Sequence, residues 1–150
     1  MFYLILFLLV LVADQYTKLA ITQDFFLGQS VPVLKGIFNL TYVQNTGGAF
    51  GIMRNSTNLF IVISIVVILF IIYFLIKEEK KDIYVQIIFS LVLGGAISNL
   101  IDRLRLGFVV DFIDFQVWPV FNIADAAITV GMVLLLIRIL FNKEPKKEII

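Results

Sequence analysis

The chain contains no cysteine and no histidine among its 150 residues. Their absence excludes disulfide bonds, thiol nucleophiles, imidazole bases and Cys/His metal sites, and it excludes a Ser/His/Asp triad within one chain. The formal net charge of +1 gives no argument for a nucleic-acid partner or an acidic one. Any chemistry must therefore use carboxylates, hydroxyls, lysine or arginine.

Apolar side chains, in contrast, are in excess. Hydrophobic residues make up 61% and aromatic residues 14% of the sequence, and the mean hydropathy is +1.02. The chain is far more apolar than a soluble domain of this size. The composition and length predict a single integral-membrane domain over residues 1–150.

Four apolar segments are long enough to cross the hydrocarbon core, which an α-helix spans in about 20 residues. They cover residues 2–21, 59–76, 83–101 and 121–141. The first lacks the basic start and the small-residue cleavage site of a secretory signal, so we expect it to be retained. The predicted fold is an all-α polytopic membrane protein, built as a bundle of four transmembrane helices.

Short basic segments predict the orientation of this bundle. The turn at residues 77–82 and the tail at residues 143–147 each carry three lysines. By the positive-inside rule both segments, and hence both termini, face the cytoplasm. The longer connections, residues 22–58 and 102–120, then lie outside. Five basic residues oppose this orientation: Lys18, Lys35, Arg54, Arg103 and Arg105.

A strand pattern interrupts the helical segments in the first long connection. Residues 37–44 alternate in character and are rich in β-branched and aromatic side chains, so they predict a small extracytoplasmic β-sheet. Gly47, Gly48 and Gly51 follow directly. They indicate a tight turn or the close approach of another segment.

Polar residues from four remote stretches fall in one layer of this arrangement. A helix rises about 1.5 Å per residue, so the third span carries Asn99, Asp102 and Arg103 close to the outer surface. The fourth span starts at that depth with Asn122 and Asp125. The layer is completed by Asp14 and Lys18, in the outer half of the first span, and by Asp111, on the connection between spans three and four.

Asp111 and Asp125 each lie in an apolar run. Asp111 is flanked by valine, phenylalanine and isoleucine, and no cation upstream is closer than Arg105. An ionisable group at membrane depth costs roughly 3 kcal/mol or more unless it is paired or hydrated, so such residues are usually functional. Two carboxylates together predict a pair that shares a proton.

Some of these residues have structural explanations as well. Asn122 followed by Asp125 fits a helix N-cap with a capping box, in which the helix dipole stabilises the charge. Asp14 and Lys18 are four residues apart and could simply neutralise each other on one helix face. Both explanations stay open at this point.

Asp102 abuts Arg103 in the sequence. We expect it to form an ordinary ion pair there or to point outward as a solvated charge. Three aromatic residues are expected in the interfacial belt of the membrane: Tyr42, Phe115 and Trp118.

Five motifs occur in order along the chain. They are DQYTK at residues 14–18, QNTGGAFG at 44–51, GGAISNLIDR at 94–103, VVDF at 109–112 and FNIAD at 121–125. With these motifs on four spans, the chain resembles the lipoprotein signal peptidases, also called signal peptidase II. These are small four-span aspartic proteases of the bacterial cytoplasmic membrane. Each motif alone would be weak, but the five together cover nearly the whole chain.

The resemblance implies an aspartic endopeptidase that removes signal peptides from diacylglyceryl-modified prolipoproteins, cleaving on the amino side of the lipidated cysteine. Asp111 and Asp125 match the family's catalytic pair. Seven positions match residues that shape or support the substrate site: Asp14, Lys18, Asn45, Gly95, Asn99, Arg103 and Asn122. Two residues depart from the family pattern, because glycine is expected where Ser98 stands and alanine where Gly48 stands.

The resemblance also implies a multi-pass protein of the bacterial cytoplasmic membrane with its active site near the outer face. Its partners would be prolipoprotein substrates and the lipid bilayer. We expect a monomer, with no nucleic acid bound.

Two carboxylates suffice for peptide hydrolysis when they share one proton. The ionised member accepts a proton from water while the protonated member polarises the scissile carbonyl. We expect Asp125, near the positive end of span four, to be ionised and Asp111 to hold the proton. This chemistry requires no metal and no cofactor.

Three other classes of function are compatible with parts of the sequence. Intramembrane carboxylates also occur in proton-coupled carriers, although carrier sites tend to lie at the membrane midplane between repeats, and this chain has no repeat. A non-catalytic membrane scaffold is a second alternative. A Ser/Lys dyad is the third, with Lys18 activating a hydroxyl such as that of Ser98.

Overall fold

A computed structural model of the chain describes residues 2–48, 53, 55–77 and 82–141. It contains four helices: α1 (Phe2–Asp24), α2 (Thr57–Lys77), α3 (Ile83–Leu106) and α4 (Ile123–Phe141). Three strands lie between them: β1 (Ser30–Leu34), β2 (Phe38–Asn45) and β3 (Val109–Asp114). Several residues used in the sequence predictions fall outside the described ones, namely Gly51, Arg54 and the basic residues at 80, 81, 143, 146 and 147.

The prediction of four membrane-length helices is confirmed. All four helices are long and apolar enough to cross a bilayer. All four helices differ from the prediction by a few residues at one end or both, and two of these differences have a clear local cause. α3 continues past residue 101 to Leu106, where Gly107 adopts a left-handed conformation (φ 82°) and ends the helix. α4 begins at Ile123 rather than at residue 121, because the chain at Phe121 is still bonded to β3.

The predicted small β-sheet is also present, but it is larger than predicted. Its strand order is β1-β2-β3, and both pairs are antiparallel. Only β2 was predicted, as residues 37–44. β3 escaped prediction because its first four residues are buried on both faces, so the strand shows no alternation of apolar and polar side chains. Asp111 therefore lies on a strand and not on an irregular connection.

α3 is the central helix of the bundle. Half of the residues in its most apolar 18-residue stretch are buried, against 11–17% in the corresponding stretches of the other three helices. It packs against α1, α2 and α4, whose outer sides carry exposed leucine, isoleucine, valine and phenylalanine side chains. In a bilayer those outer sides face lipid, so the buried polar residues are confined to the inner sides.

Glycines allow this close packing around α3. A Cβ atom on Gly95 would lie 2.4 Å from the backbone oxygen of Ala124 in α4, and one on Gly131 would lie 2.6 Å from a methyl carbon of Val92. A Cβ on Gly94 would meet α1 at 3.0 Å, at the Val10 side chain. Small residues at such positions let helix backbones approach in membranes, where lipid supplies no hydrophobic drive.

The expectation for one of the three aromatic residues was wrong. Tyr42 is buried beneath the sheet in a core cluster with Ile21, Val110 and Phe112. Its hydroxyl accepts a hydrogen bond from Gln44 Nε2 at 2.9 Å, which satisfies the polar tip in this position. Phe115 and Trp118 are exposed, and their place in the interfacial belt stays a prediction.

We predict that Gly95→Ala destabilises the fold more than Gly94→Ala does. The new methyl group at residue 95 would lie 2.4 Å from a backbone oxygen of α4, whereas that at residue 94 would lie 3.0 Å from the Val10 side chain and 3.1 Å from the backbone oxygen of Phe7, so α4 must shift further than α1. Overpacking of this kind costs about 1–3 kcal/mol. Thermal unfolding of the purified variants in detergent measures the difference. A Gly95→Ala protein as stable as the wild type would contradict the packing described above.

Candidate active site

Asp111 is held by two amide groups on the buried side of the sheet. Its Oδ2 accepts a hydrogen bond from Asn45 Nδ2 at 2.9 Å, and its Oδ1 accepts one from Asn122 Nδ2 at 2.7 Å. Pairing of β2 with β3 delivers Asn45, since Val43 lies opposite Asp111 and Asn45 lies opposite Val109. The side chain of Asp111 is almost fully buried.

Asp125 lies in the first turn of α4. Its backbone N–H donates to Asn122 Oδ1 at 2.8 Å, and its Oδ1 accepts a hydrogen bond from Asn99 Nδ2 at 2.8 Å. Within the described part of the chain, no hydrogen bond to Asp125 Oδ2 is found. One oxygen of this carboxylate is therefore fixed by α3.

Asn122 links the two aspartates. Its Oδ1 caps α4 by accepting from the Asp125 backbone, and its Nδ2 donates to Asp111. The N-cap interpretation of Asn122 is therefore correct, and it does not compete with the site. The capping box is not completed, since among the described residues the Asp125 carboxylate accepts from Asn99 and not from the Asn122 backbone. One side chain sets the start of α4 and the orientation of the carboxylate on β3 at once.

Lys18 binds three acceptors in the interior. Its Nζ lies 2.7 Å from Asp14 Oδ2, 2.8 Å from Asp102 Oδ2 and 2.9 Å from Asn99 Oδ1. An ammonium group has three N–H bonds, so all of them are engaged. Asp14 and Lys18 do neutralise each other at i and i+4, but as part of a buried cluster and not on an exposed helix face.

Asp14 connects α1 to the start of α4. Its Oδ1 accepts the backbone N–H of Ala124 at 2.8 Å, which is one of the free donors in the first turn of that helix. Its Oδ2 accepts the hydroxyl of Ser98 at 2.6 Å as well as Lys18. The carboxylate thus acts as an N-cap supplied from another helix, and the positive end of the helix dipole stabilises its charge.

The expected ion pair of Asp102 with Arg103 is not found. Asp102 is buried and pairs with Lys18 on α1, and it also accepts the backbone N–H of Val110 at 3.1 Å. Consecutive residues of a helix do not face each other, which explains why Arg103 points elsewhere. Sequence adjacency was a poor guide here because the true partner is remote in the chain.

Arg103 reaches from α3 toward the end of β2. Its Nη2 donates to the backbone oxygen of Gly47 at 3.2 Å, and its guanidinium carbon lies 5.2 Å from the centre of the Phe60 ring. Its Nε is buried and has no hydrogen-bond partner in the described residues. The positive charge interacts with Asp125, Asp111 and Asp102, so the arginine lies near the aspartate pair without an ion pair to either member.

An apolar cleft of about 490 Å³ adjoins Asp125. Its walls come from Trp118, Pro119 and Phe121 and from the flank of α4, including Ile128 and Val130. The carboxylate of Asp125 is the only ionisable group among the described residues that line it. The described residues contain no cluster of three carboxylates suited to a metal ion.

Burial raises the pKa of Asp111 from its ordinary value of 3.8 to about 7. The negative charge of Asp125 is the second cause of the increase, and the hydrogen bonds from Asn45 and Asn122 act in the opposite direction because they favour the charged form. Asp111 therefore holds a proton under conditions in which an ordinary aspartate has lost it.

The profile of the signal peptidase (SPase) II family matches residues 6–141. The chain belongs to the signal peptidase II family. A lipoprotein signal peptidase from Caldicellulosiruptor bescii is 48% identical over 149 residues, covering 99% of this chain and 96% of its own length. One from Halothermothrix orenii is 44% identical over 133 residues, covering 89% of this chain and 91% of its own length.

Solved structures agree with this membership. A bacterial membrane enzyme determined by the in meso method aligns with a TM-score of 0.91 at 35% identity, covering 97% of this chain and 92% of that one. A second structure of the same description has a TM-score of 0.85 at 35% identity, covering 93% of each chain. As a member of the signal peptidase II family with four membrane-length helices, the chain is a multi-pass bacterial membrane peptidase.

Both departures from the signal peptidase II pattern have a structural explanation. The hydroxyl of Ser98 is fully buried and donates to Asp14, so the serine adds a hydrogen bond that a glycine could not make. A Cβ atom at Gly48 would lie 2.6 Å from the Phe60 ring. Glycine therefore gives room to the aromatic ring on which Arg103 rests.

The structure brings together eight of the nine residues selected from the sequence and family pattern, and Gly95 serves the packing beside them. Three residues of the network were not among these nine: Gln15, Ser98 and Asp102. Gln15 donates to Asp102 Oδ1 at 2.8 Å and to Ser98 Oγ at 3.0 Å. Its spacing of three residues from Lys18 on α1 was the available signal, because such residues share a helix face.

We predict that the pKa of Asp111 responds in opposite directions to two substitutions. Asp125→Asn removes a repulsive charge and lowers it, whereas Asn45→Leu removes a hydrogen bond to the charged form and raises it. The pH-dependent carboxyl ¹³C shift of labelled aspartate measures both. Asp24→Asn, at an exposed position near the end of α1, is the control and leaves the titration unchanged. If Asp125→Asn left the pKa of Asp111 unchanged, the electrostatic coupling between the two aspartates would be contradicted.

We predict that Lys18→Met lowers the free energy of unfolding by about 3–5 kcal/mol, because it leaves two buried carboxylates without their cation. Lys35→Met changes an exposed lysine and leaves the stability unchanged within error. Chemical or thermal unfolding in detergent compares the two variants. Equal stability of both would mean that Lys18 does not hold the cluster together.

Proposed function

We propose that this peptidase is an aspartic endopeptidase that removes signal peptides from diacylglyceryl-modified prolipoproteins, cutting on the amino side of the lipidated cysteine. The observation that carries the proposal is the pair Asp111 and Asp125, joined through Asn122 beside an apolar cleft. The printed names of the relatives supply the substrate class, since they are lipoprotein signal peptidases.

In the proposed reaction Asp125 is the base and Asp111 the acid. Asp125 accepts a proton from the attacking water, and Asp111 donates its hydrogen bond to the scissile carbonyl oxygen. Collapse of the tetrahedral intermediate breaks the C–N bond, and the proton taken from water passes to the leaving nitrogen. The raised pKa of Asp111 supports this assignment, because the acid must be protonated near neutral pH.

The cleft supports a lipid-bearing substrate. Its apolar walls suit acyl chains, and the single carboxylate at its edge suits the peptide bond next to the modified cysteine. Arg103, whose positive charge interacts with both aspartates, would hold a carbonyl oxygen of the substrate. We further propose that this end of the bundle faces outward and that both termini are cytoplasmic, as the basic segments predict.

The Ser/Lys alternative finds little support in the geometry. Lys18 would have to act as a neutral base, yet its ammonium donates to two carboxylates and an amide oxygen. Ser98 is fully buried, so it has no access to a substrate, and its hydroxyl donates a hydrogen bond to Asp14.

We predict that purified protein in detergent cleaves a diacylglyceryl-modified precursor and leaves the unlipidated precursor intact. Asp111→Asn and Asp125→Asn each lower the rate by at least about 10³-fold, because each removes one half of the proton transfer. A gel-shift assay follows the cleavage.

Asp114→Asn is the matched control for this assay. Asp114 lies on the same strand as Asp111 but bonds to Thr41, away from the pair, so its variant keeps most of the activity. Cleavage that survives either Asp111→Asn or Asp125→Asn would overturn the aspartic mechanism. Loss of stability alone in these variants, with no cleavage by the wild type, would favour a scaffold.

A further inference from the structure

Gln15 bridges α1 and α3 through two residues of the buried network that supports the aspartate pair. Its Nε2 donates to Asp102 Oδ1 at 2.8 Å, to Ser98 Oγ at 3.0 Å and to the Ser98 backbone oxygen at 3.2 Å. These contacts join positions 87 and 83 residues apart in the chain. Among the described residues, Gln15 is the only hydrogen-bond donor to Asp102 Oδ1. The amide therefore fixes an oxygen of a buried carboxylate that nothing else there holds.

The carboxylate that Gln15 holds is the contact between α3 and the strand of Asp111. Asp102 Oδ2 accepts the backbone N–H of Val110, the residue immediately before Asp111. The backbone oxygen of Val110 accepts from Asn122 Nδ2 at 3.3 Å. A rotation of Asp102 about its terminal bond would release Val110, and Gln15 opposes that rotation by holding the other oxygen.

The hydroxyl that Gln15 touches belongs to the second half of the site. Ser98 Oγ accepts from Gln15 and donates to Asp14, which in turn holds the first turn of α4 through the Ala124 N–H. Asp125 is the next residue of that turn. The Gln15 amide is thus connected to both aspartates. It is connected to Asp111 on β3 through Asp102, and to Asp125 on α4 through Ser98 and Asp14.

We propose that Gln15, with Ser98 as its accessory, is a positioning residue for the aspartate pair. The proposal rests on the proposed function for its effect on the reaction, but not for its effect on the structure. Gln15 contacts neither Asp111 nor Asp125 and acts through Asp102 and Asp14. Its loss changes the geometry of the pair and leaves the apolar cleft, where substrate would bind, intact.

Q15M tests the proposal, since methionine has a similar volume and no donor. We expect the rate constant kcat to fall by about tenfold, because small misplacements of catalytic groups cost rate, while KM stays within about twofold. We expect hydrogen exchange of the Val110 amide to accelerate. The control is Y16L, on the adjacent residue of α1, whose side chain is 71% exposed. It leaves both quantities unchanged.

Q15E gives a second, internally controlled test. When the introduced carboxyl group is protonated it can donate to Asp102 as the amide does, and once ionised it cannot and repels Asp102. The charged groups around it are Asp14 and Lys18 on α1 and Asp102 and Arg103 on α3, with Asp125 and Asp111 beyond them. Relative to wild type at the same pH, Q15E therefore keeps activity at low pH and loses it as pH rises, whereas Q15M is reduced at every pH.

The serine contributes through the same hydrogen bonds. S98G lowers kcat less than Q15M does, and the double variant Q15M/S98G loses less than the product of the two single losses, because both act on one bridge.

Q15M with wild-type kcat and wild-type Val110 exchange would overturn the proposal while leaving the peptidase function intact. A wild type that cleaves no lipidated precursor would overturn the function, and Val110 exchange in Q15M would still decide the bridge. Should Q15M fail to fold, the ratio of Q15E activity to wild-type activity, measured at two pH values, replaces it. A ratio that is independent of pH would refute the bridge.

Discussion

The ammonium group of Lys18 is the interaction on which the site depends. It lies in the interior and binds Asp14 on its own helix and Asp102 and Asn99 on α3. Through these three acceptors it reaches the start of α4, strand β3 and Asp125. Burying one cation among two carboxylates is costly unless the geometry satisfies every donor, and here it does. The main effect of the cluster is therefore to fix the relative positions of these segments, and its net contribution to stability is small.

Close packing of the helices makes this cluster possible. The side chains of Lys18, Asp14 and Asn99 contact one another only because α1, α3 and α4 lie close together. The glycines of α3 and α4 permit that approach. The sheet then adds the one aspartate that no helix supplies. Pairing of β2 and β3 places Asn45 against Asp111, so a bond within the sheet and a bond from α4 converge on the same carboxylate.

Much of the fold could be predicted from the sequence, because long apolar runs and basic turns are local signals. Four helices and strand β2 follow from such signals, and the five ordered motifs indicate the family. Strand β3 does not, since its burial on both faces removes the alternation that identifies a strand. The partner of Asp102 and the burial of Tyr42 depend on contacts between remote segments, and local context misled both expectations. Gln15 was overlooked because an amide in a helix carries no charge to attract attention.

The position of the cleft has a consequence for kinetics. Its walls include the flank of α4, whose exposed side chains are apolar, so the lipid-anchored substrate of the proposed function would enter by lateral diffusion within the bilayer. Encounter would then occur in two dimensions, and its frequency would follow the number of substrate molecules per unit of membrane area. Adding lipid or detergent at constant amounts of protein and substrate would lower the surface density of substrate, and hence the rate, even when the volume of the sample does not change.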